Sequence, residues 1–103
     1  MGKAEEATPL FEEMLQGRRE TLGDRNEDTL TSISILARLL EDQGKLGEAI
    51  PLYMEALEGS VLLNGMEGEL TRRAAERLVS NLRKVGQRKK AKALADKHGL
   101  VGS

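Results

Sequence analysis

The chain repeats its own residue types at a spacing of about 42 residues. The stretch that begins at Gly2 matches the stretch that begins at Gly44, and a shorter third copy begins at Gly86. Matching pairs include Gly2/Gly44, Lys3/Lys45, Glu6/Glu48, Ala7/Ala49, Pro9/Pro51, Leu10/Leu52, Gly17/Gly59, Leu36/Leu78 and Leu40/Leu82. Units of this length bury their apolar face against the neighbouring unit. We therefore expect stacked repeats, with function on a surface that several of them share.

The apolar residues recur at helical spacing, and no segment alternates in the manner of a β-strand. The pattern predicts an all-α helical-repeat solenoid, a single domain over 1–103 with about five antiparallel helices. We place these helices at about 4–21, 27–43, 46–63, 69–85 and 88–97. The inward positions predicted for the first two helices are Ala7, Leu10, Phe11, Met14, Leu15, Leu30, Ile33, Leu36, Ala37 and Leu40. Gly17 and Gly59, in the same repeat slot, predict a close helix–helix approach or a bend.

The composition excludes several classes of protein. Phe11 and Tyr53 are the only aromatic residues, so the core must be aliphatic. The chain has no cysteine, which excludes disulfides and thiolate metal sites and is compatible with an intracellular, cytoplasmic location. No apolar run approaches the roughly 20 residues that cross a bilayer, and the N-terminus does not resemble a secretion signal.

The residue types that carry catalysis are largely missing. The single histidine, His98, is expected at a helix end, where the helix dipole favours its charged form. The carboxylate pairs, such as Glu41-Asp42, are expected on solvated helix faces. No phosphate-binding glycine pattern is present. The sequence therefore predicts a protein that is not an enzyme and that holds no metal or cofactor.

Charge is distributed unevenly along the chain. Residues 1–70 contain 6 basic and 15 acidic residues, whereas residues 71–103 contain 10 basic and 2 acidic ones. The difference could reflect ordinary solvated helix faces, or a basic end that meets an acidic partner. We consider nucleic acid an unlikely partner because the chain lacks aromatic residues that stack on bases. A membrane is also an unlikely partner, because the last helix is short and only weakly apolar.

The segments Leu36-Ala37, Gln43-Gly44-Lys45, Glu48-Ala49 and Leu52-Tyr53 resemble one family. They are similar to the long tetratricopeptide repeats of kinesin light chains and of nephrocystin-like proteins. The resemblance covers nearly the whole chain and weakens from Met66 onward. It implies a right-handed solenoid that opens on the second helix of a repeat, as a fragment or end of a longer array would. It also implies recognition of proteins or peptides.

In such repeats the first helix of each pair lines a concave groove. The resemblance therefore implies a basic groove that binds an acidic protein segment. Its predicted partner-binding residues are Arg38, Arg73, Arg77, Ser80, Arg83 and Lys84. The family usually has an Asn-Asn pair where this chain has Ser34-Ile35, which weakens the expectation of a clamped extended peptide.

A second hypothesis concerns the first helix, which has no preceding helix to cover it. Ala7, Leu10 and Met14 form its predicted assembly face. This face could stack on the basic end of a second copy, giving open fibres or rings, or it could dock into a larger complex. The two hypotheses differ in the surface that they require.

Overall fold

Five helices account for most of the chain. The structure, a computed structural model, describes the backbone of residues 2–100 and the side chains of residues 5–100. The helices are α1 (Gly2–Leu22), α2 (Glu27–Asp42), α3 (Leu46–Asn64), α4 (Glu69–Lys84) and α5 (Arg88–Lys97). The described residues contain no β-strand. The predicted all-α helical-repeat class is therefore confirmed, and the helix bounds lie close to those expected.

The turns between helices repeat as the sequence does. Gly23 and Gly65 have φ angles of 88° and 81°, and Gly44 and Gly86 have φ angles of 80° and 85°. Only glycine adopts this left-handed conformation without strain, and helices commonly end on it. At the start of α2, the Asn26 side chain accepts a hydrogen bond from the backbone N–H of Asp28 at 2.9 Å. This cap satisfies one of the free N–H groups at the helix N-terminus.

The helices form two layers. Each helix packs on the next along the chain. Arg19 of α1 forms a bidentate ion pair with Glu55 of α3, with one hydrogen bond of 2.9 Å from Nη2 to Oε1. On the other side, Lys84 of α4 contacts Glu41 of α2. Thus α1 and α3 are neighbours in one layer, α2 and α4 are neighbours in the other, and α5 packs on α4.

The core between the layers is aliphatic, as the composition requires. All predicted inward residues of α2 are buried, and Tyr53 of α3 is only 1% exposed. On α1 the predicted inward position is wrong for Leu10 and Met14, which are 66% and 42% exposed, whereas Phe11 packs against the core as predicted. The exposure of Leu10 and Met14 agrees with the second hypothesis, in which no preceding helix covers α1. Only Leu15 of α1 is fully buried, because α1 packs mainly on α2 and its opposite side has no neighbour among the described residues.

The two glycines of the repeated slot have different surroundings. A Cβ atom built on Gly59 would lie 2.5 Å from Cδ2 of Leu30, so α3 approaches α2 closely there. A Cβ atom on Gly17 would have no described atom within 4 Å. A close approach is therefore confirmed at Gly59 and is not found at Gly17, where the alternative, a bend, stays a prediction.

Candidate interaction surface

The structure places most of the predicted partner-binding residues on one side of the α2–α4 layer. Arg73, Arg77, Ser80 and Lys84 follow one another at spacings of four, three and four residues, so they form one stripe along α4. Arg38 lies on α2. We call this surface, which comprises Arg38, Glu41, Arg73, Arg77, Ser80 and Lys84, the α2–α4 face. Arg83 is exposed but lies about 100° around α4 from Lys84 and is not part of the stripe.

Glu41 is at the centre of this face. Its side chain is only 9% exposed. Its Oε1 atom accepts a hydrogen bond of 2.9 Å from the Tyr53 hydroxyl. Its Oε2 atom lies 3.3 Å from Nζ of Lys84 and 3.9 Å from Nη1 of Arg77. The expectation that Glu41 is a solvated carboxylate is therefore wrong, because α3 and α4 both place polar groups against it.

These contacts determine the ionisation of Glu41. Burial by itself would raise its pKa, but the hydrogen bonds from Tyr53, Asn81 and Lys84 outweigh burial and hold the pKa below its ordinary value of 4.5. Burial and the bond to Glu41 raise the pKa of Tyr53, while Arg77 and Arg38 act in the opposite direction. Arg38 therefore lies close enough to contribute its charge to the same cluster.

The cations of the face differ in how far they are already paired. Arg77 and Lys84 share Glu41, and their side chains are 42% and 52% exposed. Arg73 pairs with Glu69 at 2.9 Å, but both side chains are more than 70% exposed, so this pair is weak. Arg38 forms no ion pair with any described residue. The face is thus less basic than the sequence suggested, since one carboxylate is built into it.

Two family models match the chain. One, described as tetratricopeptide repeat, covers residues 1–60, and the other, described as tetratrico peptide repeat, covers residues 36–100. The chain belongs to the tetratricopeptide repeat family. Such repeats generally mediate protein–protein interaction or scaffolding and are generally not catalysts. A comparison with curated proteins finds no match.

The N-terminal helix of this tetratricopeptide repeat chain has a second exposed surface. Leu10 and Met14 point away from the described helices, and Ala7 is half-buried. Large apolar side chains with this exposure are candidates for contact with another chain. At the other end of the repeats, Arg88, Lys89 and Lys90 are exposed at the start of α5.

The remaining sequence-based candidates carry no site in the described part of the chain. No group of three or more His, Asp or Glu side chains could hold a metal ion there. His98 follows α5 as expected, but burial and then the charge of Lys97 lower its pKa, which opposes the expected effect of the helix dipole. Every helix of residues 2–100 is too short or too polar to span a bilayer.

Proposed function

We propose that this tetratricopeptide repeat chain binds an acidic segment of another protein through the α2–α4 face, which would correspond to the basic concave groove of such repeats. The observation that carries the proposal is the pairing of two cations, Arg77 and Lys84, with one nearly buried carboxylate, Glu41. A third cation, Arg38, lies three residues before Glu41 on the same helix, α2, and so on the same side of it. The family supplies the general role in protein recognition. The positive charge of the face is the reason to infer an acidic partner.

Glu41 gives the face a fixed geometry. A lysine ammonium has three N–H donors and an arginine guanidinium has five, so neither Lys84 nor Arg77 is saturated by Glu41. The carboxylate holds the two cations in place and lowers the entropy that a partner must remove on binding. Arg38, which has no ion pair among the described residues, can bind a partner carboxylate in bidentate fashion.

Binding of paired peptides tests this proposal. The probe is a fluorescent peptide rich in Asp and Glu, and its control carries Asn and Gln at the same positions. We expect the acidic peptide to bind and to weaken steadily as salt is raised from about 0.05 to 0.5 M, because screening shortens to a few ångströms. The amide peptide should not bind measurably.

Matched arginine variants locate the site. Arg38→Ala should weaken binding of the acidic peptide roughly fivefold, the equivalent of about 1 kcal/mol for one exposed charge contact. Arg72→Ala removes the same charge from α4, but Arg72 lies off the stripe and pairs with Glu76. It should change the affinity less than twofold. Equal losses in the two variants would show that net charge alone attracts the peptide.

A second candidate function is assembly through the N-terminal helix, either by self-stacking or by docking into a larger complex. The 66% exposure of Leu10 and the 42% exposure of Met14 favour it. Light scattering coupled to gel filtration tests self-stacking, with Leu10→Glu/Met14→Glu as the variant. Loss of larger species in this variant, but not in Leu62→Glu, would support stacking. Species that dissolve in about 0.5 M salt would indicate acidic-to-basic contacts, and species that persist would indicate apolar burial.

Two finer proposals follow from the sequence. The Gln43-Gly44-Lys45 turn and the 42-residue spacing support the kinesin-light-chain and nephrocystin-like type of repeat. The lack of cysteine supports a cytoplasmic location. Imaging of the fluorescently tagged full-length protein in its own cells tests the location.

A further inference from the structure

The helix α3 has apolar residues on all of its sides, although its neighbours cover only part of it. Ala49, Tyr53, Ala56 and Leu57 are buried. Met54, Leu62 and Leu63 are 54%, 59% and 45% exposed. A helix that is apolar all round is normally buried all round. In the described chain α3 packs mainly on α2 and α4, so one of its sides lacks a partner.

That open side forms one wall of a groove, which we call the α3 groove. The opposite wall is the end of α1 with the turn into α2. Residues 22–27 form that wall, and the α3 wall includes Pro51, Met54, Glu58, Gly59, Leu63 and Asn64. On α3 the lining residues recur every three or four residues, which is the spacing of one helix face. Pro51 and Asn64 are about 20 Å apart at 1.5 Å per residue, so the groove matches a helix of about four turns.

The charge of the groove has one predominant sign. Between Leu46 and Asn64, α3 carries Glu48, Glu55 and Glu58 but no lysine or arginine. Arg19 already pairs with Glu55 and with Asp24, the latter at 2.7 Å. Glu27 and Glu58 form no ion pair with any described residue. The lining has one basic residue, Arg25, against four acidic ones. The groove therefore offers exposed apolar side chains next to two carboxylates that have no ion pair among the described residues.

We propose that the α3 groove binds a helical segment of another protein, with an aliphatic face flanked by lysine or arginine. The aliphatic face would cover Leu22, Met54 and Leu63, and the flanking cations would pair with Glu27 and Glu58. An amphipathic helix laid in an apolar groove is a common mode of peptide recognition. The groove lies on the α1–α3 layer and selects the opposite charge from the α2–α4 face, so this inference stands whether or not that face binds an acidic segment.

A second copy of this chain is a poorer occupant than another protein. Its basic helix, α5, has the right charge. However, Ala91 and Ala95 of α5 are buried against the rest of the chain, and Leu94 is half-buried. The apolar side of α5 is therefore already in use, and only its lysine and arginine side chains are available for a contact.

The first test measures binding of a designed helical peptide to the full chain by fluorescence anisotropy. The probe is about 15 residues long, with leucines on one face and lysines on both flanks. One control peptide has glutamate in place of lysine, and another has the same composition in an order without an apolar face. We expect only the first peptide to bind. Equal binding of the scrambled peptide would overturn the proposal, because it would mean charge attraction without a groove. So would the absence of binding at about 1 mM peptide.

Two matched pairs of variants then locate the contact. Met54→Ala/Leu63→Ala should weaken binding about tenfold through lost apolar contact, whereas Leu62→Ala/Met66→Ala removes similarly exposed residues outside the groove and should change it less than twofold.

Glu58→Lys should weaken binding more than Glu48→Lys, which lies on the same helix outside the lining. Circular dichroism spectra confirm that each variant keeps its helices. Equal effects within either pair would contradict the proposal, as would a homodimer that only the groove variants dissociate.

Discussion

Glu41 and Arg83 occupy the same position in successive repeats, yet one is nearly buried and the other is exposed. Glu41 is covered because Tyr53 of α3 and Lys84 of α4 reach it. The residue one repeat after Tyr53 is Ala95, which has no hydroxyl to donate. No described helix packs beside α4 as α4 packs beside α2. In stacked repeats, the environment of a residue thus depends on which side chains the next repeat packs against it, as well as on the residue itself.

The same contrast separates Gly59 from Gly17. The two glycines occupy equivalent positions in α1 and α3. Only Gly59 lies against a described side chain of the other layer, that of Leu30. Among the described helices, α1 packs mainly on α2, whereas α3 packs on both α2 and α4. The equivalent glycines therefore differ in role: Gly59 allows two helices to pack closely, and Gly17 has no such contact with the described residues.

The largest expected effect comes from filling these two glycine positions. Gly59→Leu should destabilise the protein by about 1–3 kcal/mol, because its Cβ would be too close to the buried side chain of Leu30, which would have to shift. Gly17→Leu should leave stability unchanged or raise it by up to about 1 kcal/mol, since leucine is the better helix former and the site is open. Chemical denaturation measures both free energies of unfolding. Destabilisation by both variants to the same extent would show that the two copies are not packed differently.

A smaller effect is expected from neutralising Glu41. Glu41→Gln keeps an oxygen for the Tyr53 hydroxyl but removes the charge that holds Lys84 and Arg77. We expect a loss of about 1 kcal/mol, below that for a fully buried pair, because both cations are about half exposed. Arg83→Gln should change the free energy of unfolding by less than about 0.5 kcal/mol, as exposed substitutions usually do. Equal losses would contradict the assigned difference between the two repeats.

The repeat period and the helical spacing of apolar residues were enough to predict the five helices and the all-α repeat class. Helical spacing and turn glycines such as Gly23 and Gly44 depend on local chemistry, which a single sequence displays directly. The buried environment of Glu41 was not predictable in this way, because it depends on Tyr53 and Lys84, 12 and 43 residues along the chain. One signal was present in the sequence, since Glu41 lies one helical turn after Arg38, a predicted groove residue. For Leu10 and Met14 the sequence supported two expectations. The helical stripe indicated inward residues, whereas the lack of a preceding helix indicated an uncovered face, and only the packing shows that the second holds.

The smallest expected effect is the pH dependence of the Glu41 contribution. Tyr53, Asn81 and Lys84 hold the pKa of Glu41 below its ordinary value of 4.5, so the unfolded chain binds a proton at Glu41 at a higher pH than the folded chain does. The stabilisation by Glu41 is therefore fully present above about pH 4.5 and is lost as the pH falls through the lower folded pKa. The free-energy difference between wild type and Glu41→Gln should be constant from pH 7 to 5 and shrink on further acidification. A parallel series with Asp42→Asn, an exposed neighbour without an ion pair to any described residue, supplies the baseline against which the trend is measured. If the Glu41→Gln difference stayed constant through the acid range, the network would not favour the charged carboxylate, and the contrast with Arg83 would rest on burial alone.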